Sequence, residues 1–157
     1  MPKEKIKSIQ FRLLKVKTTD FKLSHPRKKY DAKKEATVKF SVEPLINAII
    51  QNDGKYILGI RIHCSIIETG ELFCEITTQF KFLIINFKKQ LTKTQGGYYA
   101  DIGLVSILLA ISLSTTRGIL IEKSYNTILQ KECLPIMNPS AFFSEAAKKL
   151  PKKKQNK

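Results

Sequence analysis

The residues able to do chemistry in this chain are few and scattered. There are two histidines, His25 and His63. An imidazole metal site needs more of them, or cysteines at ligand spacing. The three cysteines, Cys64, Cys74 and Cys133, are odd in number and form no Cys-x-x-Cys pair. That argues against a disulfide framework and a zinc site, and makes reduced, buried thiols the default. His63 and Cys64 are neighbours in a strand-like run, so they point to opposite faces; a surface imidazole is the better reading of His63. Ser112, Ser114, Thr115 and Thr116 lie late in an apolar run with no base near them in sequence. They read as hydroxyls bonding back to helix carbonyls rather than as nucleophiles. Glu68, Glu71 and Glu75 flank a turn and read as solvated, not as a paired acid and base. Gly96-Gly97 fits neither GxGxxG nor GxxxxGK[ST], so it is not a phosphate loop. The expectation is a protein that is not an enzyme and carries no metal or cofactor.

Charge is the strongest compositional feature. The formal net charge is +15, but residues 1–39 hold 13 basic and 4 acidic side chains, and residues 148–157 hold six lysines and no acid. The stretch between them is neutral. The ends are therefore basic and the core domain is not. Two readings stand: solvated lysines that keep the chain soluble, or ends that bind RNA, DNA, acidic lipid or an acidic protein. Phe11, Phe21 and Tyr30 sit among lysines and arginines, as nucleic-acid binding would ask, yet no known RNA- or DNA-binding motif accompanies them.

The elements that would position these residues follow from periodicity. Ile9, Phe11 and Leu13 alternate with Gln10 and Arg12, so residues 6–16 read as a first strand with a bulge near Leu13-Leu14. Residues 24–35 read as a polar loop. Val38, Phe40 and Val42 mark a second strand, which Pro44 is expected to end or kink. Residues 45–50 either extend it or form a helical turn, and Asn52-Asp53-Gly54 marks a turn. From Tyr56 to Ile66 and from Leu72 to Phe82 the alternation is clean. A hairpin centred on Thr69 places Cys64 opposite Cys74, Ile62 opposite Ile76 and Ile60 opposite Thr78, which makes both apolar faces coincide. Residues 101–117 then change to helical period, with Leu104, Leu108, Ile111 and Thr115 as one stripe. Gly118 is the expected C′ residue and Arg117 suits the helix dipole.

The uncharged run, residues 102–116, is shorter than the roughly 20 residues of a membrane span. It is expected to be a core or interface helix. No apolar segment follows the basic start, so no signal peptide is expected. Asn138 and Pro139 suit the start of a second helix, which Pro151 stops. The expected fold is α+β: a four-stranded antiparallel sheet covered on one face by a long helix and a short C-terminal helix. Residues 1–147 form the domain, and residues 148–157 read as a disordered, Lys-rich tail.

Four stretches, in this order and spacing, resemble the SecB family of export chaperones over nearly the whole chain: "IQFRLLKVKTTDFKL", "DGKYILGIRIHCSII" with "ELFCEITTQFKFLI", "LSTTRGIL" and "LPIMNPSAFF". The Leu-Pro-Ile-x-Asn-Pro form is similar to SecB-like proteins outside the export type, including those that chaperone antitoxins. The resemblance implies a cytoplasmic, ATP-independent holdase for unfolded polypeptides, assembled as a homotetramer from paired dimers. It implies an oligomer interface on Leu104, Leu108, Ile111 and Thr115, and a client groove supplied by Leu134, Ile136, Met137, Phe142 and Phe143. Its clients would be exported precursors or an antitoxin. Three departures are visible. The ends are basic where the export type is acidic, which argues against docking to the translocation motor SecA. The segment from Gly118 to Leu134 is longer, and the family's Trp is absent. A nucleic-acid-binding or single-partner adaptor role on the same fold is the alternative.

Overall fold

The computed structural model describes residues 9–24, 38–125, 127, 129, 134–139 and 141–142. Its main sheet has four antiparallel strands in the order β1-β5-β4-β2: β1 Gln10–Leu23, β2 Val38–Ile46, β4 Lys55–Ile66 and β5 Leu72–Ile85. The centre is the β4–β5 hairpin. Cys64 pairs with Cys74, Ile62 with Ile76 and Ile60 with Thr78, the register the alternation implies. Its inner face, including Tyr56, Leu58, Ile60, Phe80 and Phe82, is fully buried.

β1 runs well past Val16, where the alternation had seemed to stop. The reason is two irregularities in its pairing with β5, at Leu14 and at Thr19. Phe11 and Leu13 face inward opposite Ile84 and Phe82. The first bulge moves the inward set to Val16 and Thr18, and the second moves it to Phe21 and Leu23. Each bulge adds one residue and so flips the phase of everything after it. β2 likewise does not end at Pro44, which pairs with Ile60 in mid-strand. β2 is an edge strand, where a residue without an N–H removes no ladder bond.

Residues 45–50 resolve into the end of β2, a connector and a second strand, β3 Ile49–Ile50. β3 joins β6 Lys93–Thr94 and β7 Gly97–Tyr99 in a small sheet of order β3-β7-β6. The connector is held by the Tyr56 hydroxyl, which donates to the Asn47 carbonyl at 2.7 Å. Gly97 is needed where β7 crosses Ile50: a Cβ there would sit 2.1 Å from the Ile50 carbonyl oxygen. Phe87 packs edge-on against Tyr98 and closes this end of the core.

Helix α1, Ile102–Lys123, lies on the inner face against β4 and β5. Asp101 caps it, accepting from the Gly103 N–H at 3.3 Å. The helix does not stop at Gly118. It continues to Lys123, and Gly118 is an exposed mid-helix residue. Glycine there costs roughly 1 kcal/mol relative to alanine. Burying Leu120, which is 3% exposed, is worth about 1.5–3 kcal/mol and outweighs it. Lys123 then reaches the Phe21 ring, 5.2 Å from its centroid. At 22 residues α1 is long and apolar enough, by length and composition, to cross a membrane. The length argument made from residues 102–116 therefore does not hold. The helix instead shows the packing of a core element, since Leu104, Leu108, Leu109, Ser112 and Thr116 are buried within the chain.

One polar contact sets the helix on the sheet. Thr78, in the middle of the inner face, lies 2.6 Å hydroxyl to hydroxyl from Thr116. Each hydroxyl also lies within reach of a carbonyl, Thr116 of Ser112 at 2.8 Å and Thr78 of Ile60 at 3.5 Å, so either can be the donor of the pair. The described part of the fold is thus α+β with a four-stranded antiparallel sheet and one long helix. The expected short C-terminal helix is not seen among the described residues, where Ala141 and Phe142 make turn bonds to the Asn138 and Pro139 carbonyls. Residues 143–150 lie outside the described residues, as do residues 6–8, the loop 25–35, His25, Cys133 and the tail.

Candidate functional site: an open apolar groove

The reactive groups singled out in the sequence do not assemble into a centre. His63 and Glu75 face each other across the hairpin on the outer face of the sheet, Nε2 to Oε2 at 3.5 Å, in partial contact with solvent. Ser112, Thr115 and Thr116 donate to the carbonyls of Leu108, Ile111 and Ser112. Cys64 and Cys74 are free thiols, both buried. The hydrogen bond between them, and then burial, pushes the Cys64 thiol above its ordinary range. A thiol so raised stays protonated near neutrality and is a poor nucleophile. Burial also pushes the Tyr56 phenol up, in keeping with its role as a donor to Asn47. Among the described residues no group of three His, Cys, Asp or Glu could hold a metal ion.

What the fold does build is a groove of about 1110 Å³ along β2. Five consecutive residues of that strand, Val42 to Ile46, line it, so it takes in both sides of the sheet edge. Across from them stand Ile102 and Val105 at the start of α1, with Met137 and Phe142 from the chain after the helix. On the outer face the lining continues over Ile57, Gly59 and Gln79. Leu45 leans onto Gly59 there, where an added Cβ would meet its side chain at 3.0 Å. Glu43 is the one ionisable residue of the lining, and Arg61 Nη1 holds its carboxylate at 3.1 Å. The wall is therefore apolar with a few neutral hydrogen-bonding groups. Among the described residues β2 pairs on one side only, so half of its backbone N–H and C=O groups face away from β4.

The sequence-derived groove residues divide. Met137 and Phe142 are in the lining. Leu134 is buried in the core at 3% exposure, Ile136 stands out at 90%, and Phe143 lies outside the described residues. The stripe assigned to an oligomer interface also divides. Leu104 and Leu108 are covered within the chain, while Ile111 and Thr115 are half-buried. The face of α1 left uncovered carries Ile107, Ser114, Gly118 and Ile121. Sequence reasoning missed the largest contributor to the groove, β2. Its signal was Pro44 inside a run apolar on both faces, which marks an edge strand rather than a strand end.

No family model matches this chain, and no curated protein matches it either. Among solved structures it is similar to the Mycobacterium tuberculosis Rv1957 SecB-like chaperone, solved in complex with a ChAD peptide from the Rv1956 HigA1 antitoxin. The two share 17% identity over 83% of each chain, with a TM-score of 0.39.

Proposed function

We propose that this protein is an ATP-independent chaperone of the SecB type, which holds non-native polypeptide in the groove along β2. The observation that carries the reading is the pairing of an open apolar groove of about 1110 Å³ with an unpaired strand edge. A non-native segment exposes apolar side chains and unsatisfied backbone together, and such a site answers both. Each buried leucine- or phenylalanine-sized side chain contributes roughly 1.5–3 kcal/mol. Three or four of them, less roughly 2–5 kcal/mol for ordering the segment, give reversible binding that needs no nucleotide to release. Met137 and Phe142 suit varied clients because both side chains adapt to different partners.

In this reading the protein is not an enzyme and acts in the cytoplasm, as a homotetramer that contributes the uncovered face of α1 to its interface. Exported precursors or an antitoxin are the clients that the sequence resemblance implies. The test is an aggregation assay with a chemically unfolded client at moderate salt, run beside light scattering for mass. Suppression at near-stoichiometric ratio by a tetramer, retained when residues 148–157 are removed and lost in Phe142→Ser, is the expected result. Absence of protection by the intact chain overturns the reading.

A further inference from the structure

The outer face of the main sheet is divided by charge. Toward one end, carboxylates stand beside most basic side chains: Lys22 with Asp20 at 3.5 Å, Arg61 with Glu43 at 3.1 Å and the His63 imidazole with Glu75 at 3.5 Å, leaving Lys39 with no partner among the described residues. Toward the other end stand Arg12, Lys15, Lys17 and Lys81, and no described carboxylate lies within ion-pair distance of them. Asp53, in the turn before β4, is bound to Lys55. Lys15 and Lys81 are direct cross-strand partners on the same face. Like charges so placed repel, and no carboxylate among the described residues pairs with them. An anion laid across the pair would relieve that repulsion.

The surroundings say what kind of anion. The cations alternate with half-buried aliphatic side chains, Leu83 beside Arg12 and Ile57 beside Lys81. No Phe or Tyr faces outward among the described residues of the four strands, so stacked bases have no platform. β1 is a sheet edge whose far side pairs with no described strand. Alternate residues of an extended chain are spaced about 6.8 Å apart, like Lys15 and Lys17 themselves.

We infer that the Arg12–Lys15–Lys17–Lys81 end of the outer sheet face docks an extended acidic polypeptide segment of a partner protein, with carboxylates on the lysines and apolar side chains on Ile57 and Leu83. This site borders the groove, whose lining includes Ile57, but it does not depend on the groove's being a client site.

The test uses the full chain and a fluorescein-labelled twelve-residue peptide alternating Glu with Val and Leu. Its affinity is read by anisotropy at two salt concentrations. Binding should weaken about tenfold or more in the double variant Lys15→Gln/Lys81→Gln. It should stay within about twofold in Lys22→Gln, at the paired end of the same strand. The double variant should unfold at a higher temperature than the parent, because a repulsion has been removed; a fall would show that the pair is structural. Equal binding of the peptide to parent and double variant, or no binding at all, overturns the inference. So does tighter binding of a twelve-nucleotide oligothymidylate that the same double variant abolishes, which would make the surface a nucleic-acid site.

Discussion

The main sheet has two edges, and they are finished differently. β1 has bulges at Leu14 and Thr19 and carries Arg12, Lys15, Lys17 and Lys22 on its outer face. Bulges and lysines are what proteins use to keep an edge from pairing with stray strands. β2 has no bulge. It carries Val42, Pro44, Leu45 and Ile46 side by side, so apolar groups face both ways along the groove. One edge is guarded by charge and admits only a segment of matching charge. The other is apolar, and among the described residues it is faced by the start of α1 and by Met137, Ala141 and Phe142. A stray-strand hazard tolerated on one side and suppressed on the other is what selective exposure of an edge looks like.

That contrast can be broken most severely at β1. Deleting Val16, which pairs with Phe80, brings Lys17 opposite Phe80 on the inner face or breaks the pairing of β1 with β5. An uncompensated buried ammonium costs several kcal/mol. Loss of a cooperative urea transition, followed by circular dichroism, is the expected outcome; an unchanged midpoint would mean that the bulges of β1 absorb the shift. Phe80→Ala comes next. Phe80 is fully buried on β5, between the two edges. Its truncation should cost about 3–5 kcal/mol, and client protection and acidic-peptide binding should fall together.

Leu45→Lys sharpens the comparison by giving β2 the guard that β1 has. Leu45 is 36% exposed, so stability should change by no more than about 0.5 kcal/mol. Client binding should weaken roughly tenfold, because one apolar anchor of at least about 1.5 kcal/mol is lost. Aggregation assays on the variant against the parent would show it, and full protection would remove β2 from the site. The smallest effect is expected away from both edges. Gly118→Ala should raise stability by roughly 0.5–1 kcal/mol in urea titrations, since an added Cβ meets nothing within 4 Å.

The edges also mark where the sequence could be read. In the β4–β5 hairpin the alternation is unbroken from Cys64 and Cys74 outward past Ile60 and Thr78, so the register about Thr69 is legible from pattern alone; beside the turn an irregularity at Phe73 puts Leu72 opposite Ser65 on the outer face, against the alternation. In β1 the pattern resets twice, and a period-two reading cannot cross a bulge whose cause lies in the partner strand. In β2 the local rule for proline was applied without knowing that the strand is an edge. Gly118 was misread for a similar reason: a local stop signal was overridden by burial of Leu120, a tertiary effect. The strands of the small sheet are two or three residues long and carry no period to detect. Of the groove, Met137 and Phe142 were legible as apolar residues in a Pro-rich turn. Ile102, Val105 and the β2 residues became part of it only through the way the helix crosses the sheet.

That crossing rests on the Thr78–Thr116 hydroxyl pair. Ile102, at the groove, is fourteen residues up the helix from Thr116, about 21 Å along its axis. Every degree of the crossing angle is multiplied by that reach: a difference of about 10° at the hydroxyl pair would place Ile102 roughly 3–4 Å elsewhere, the thickness of one aliphatic side chain. The angle fixed in the middle of the sheet thus sets the width of the groove mouth, and Leu104, Val105 and Leu108, all buried, hold the helix to it.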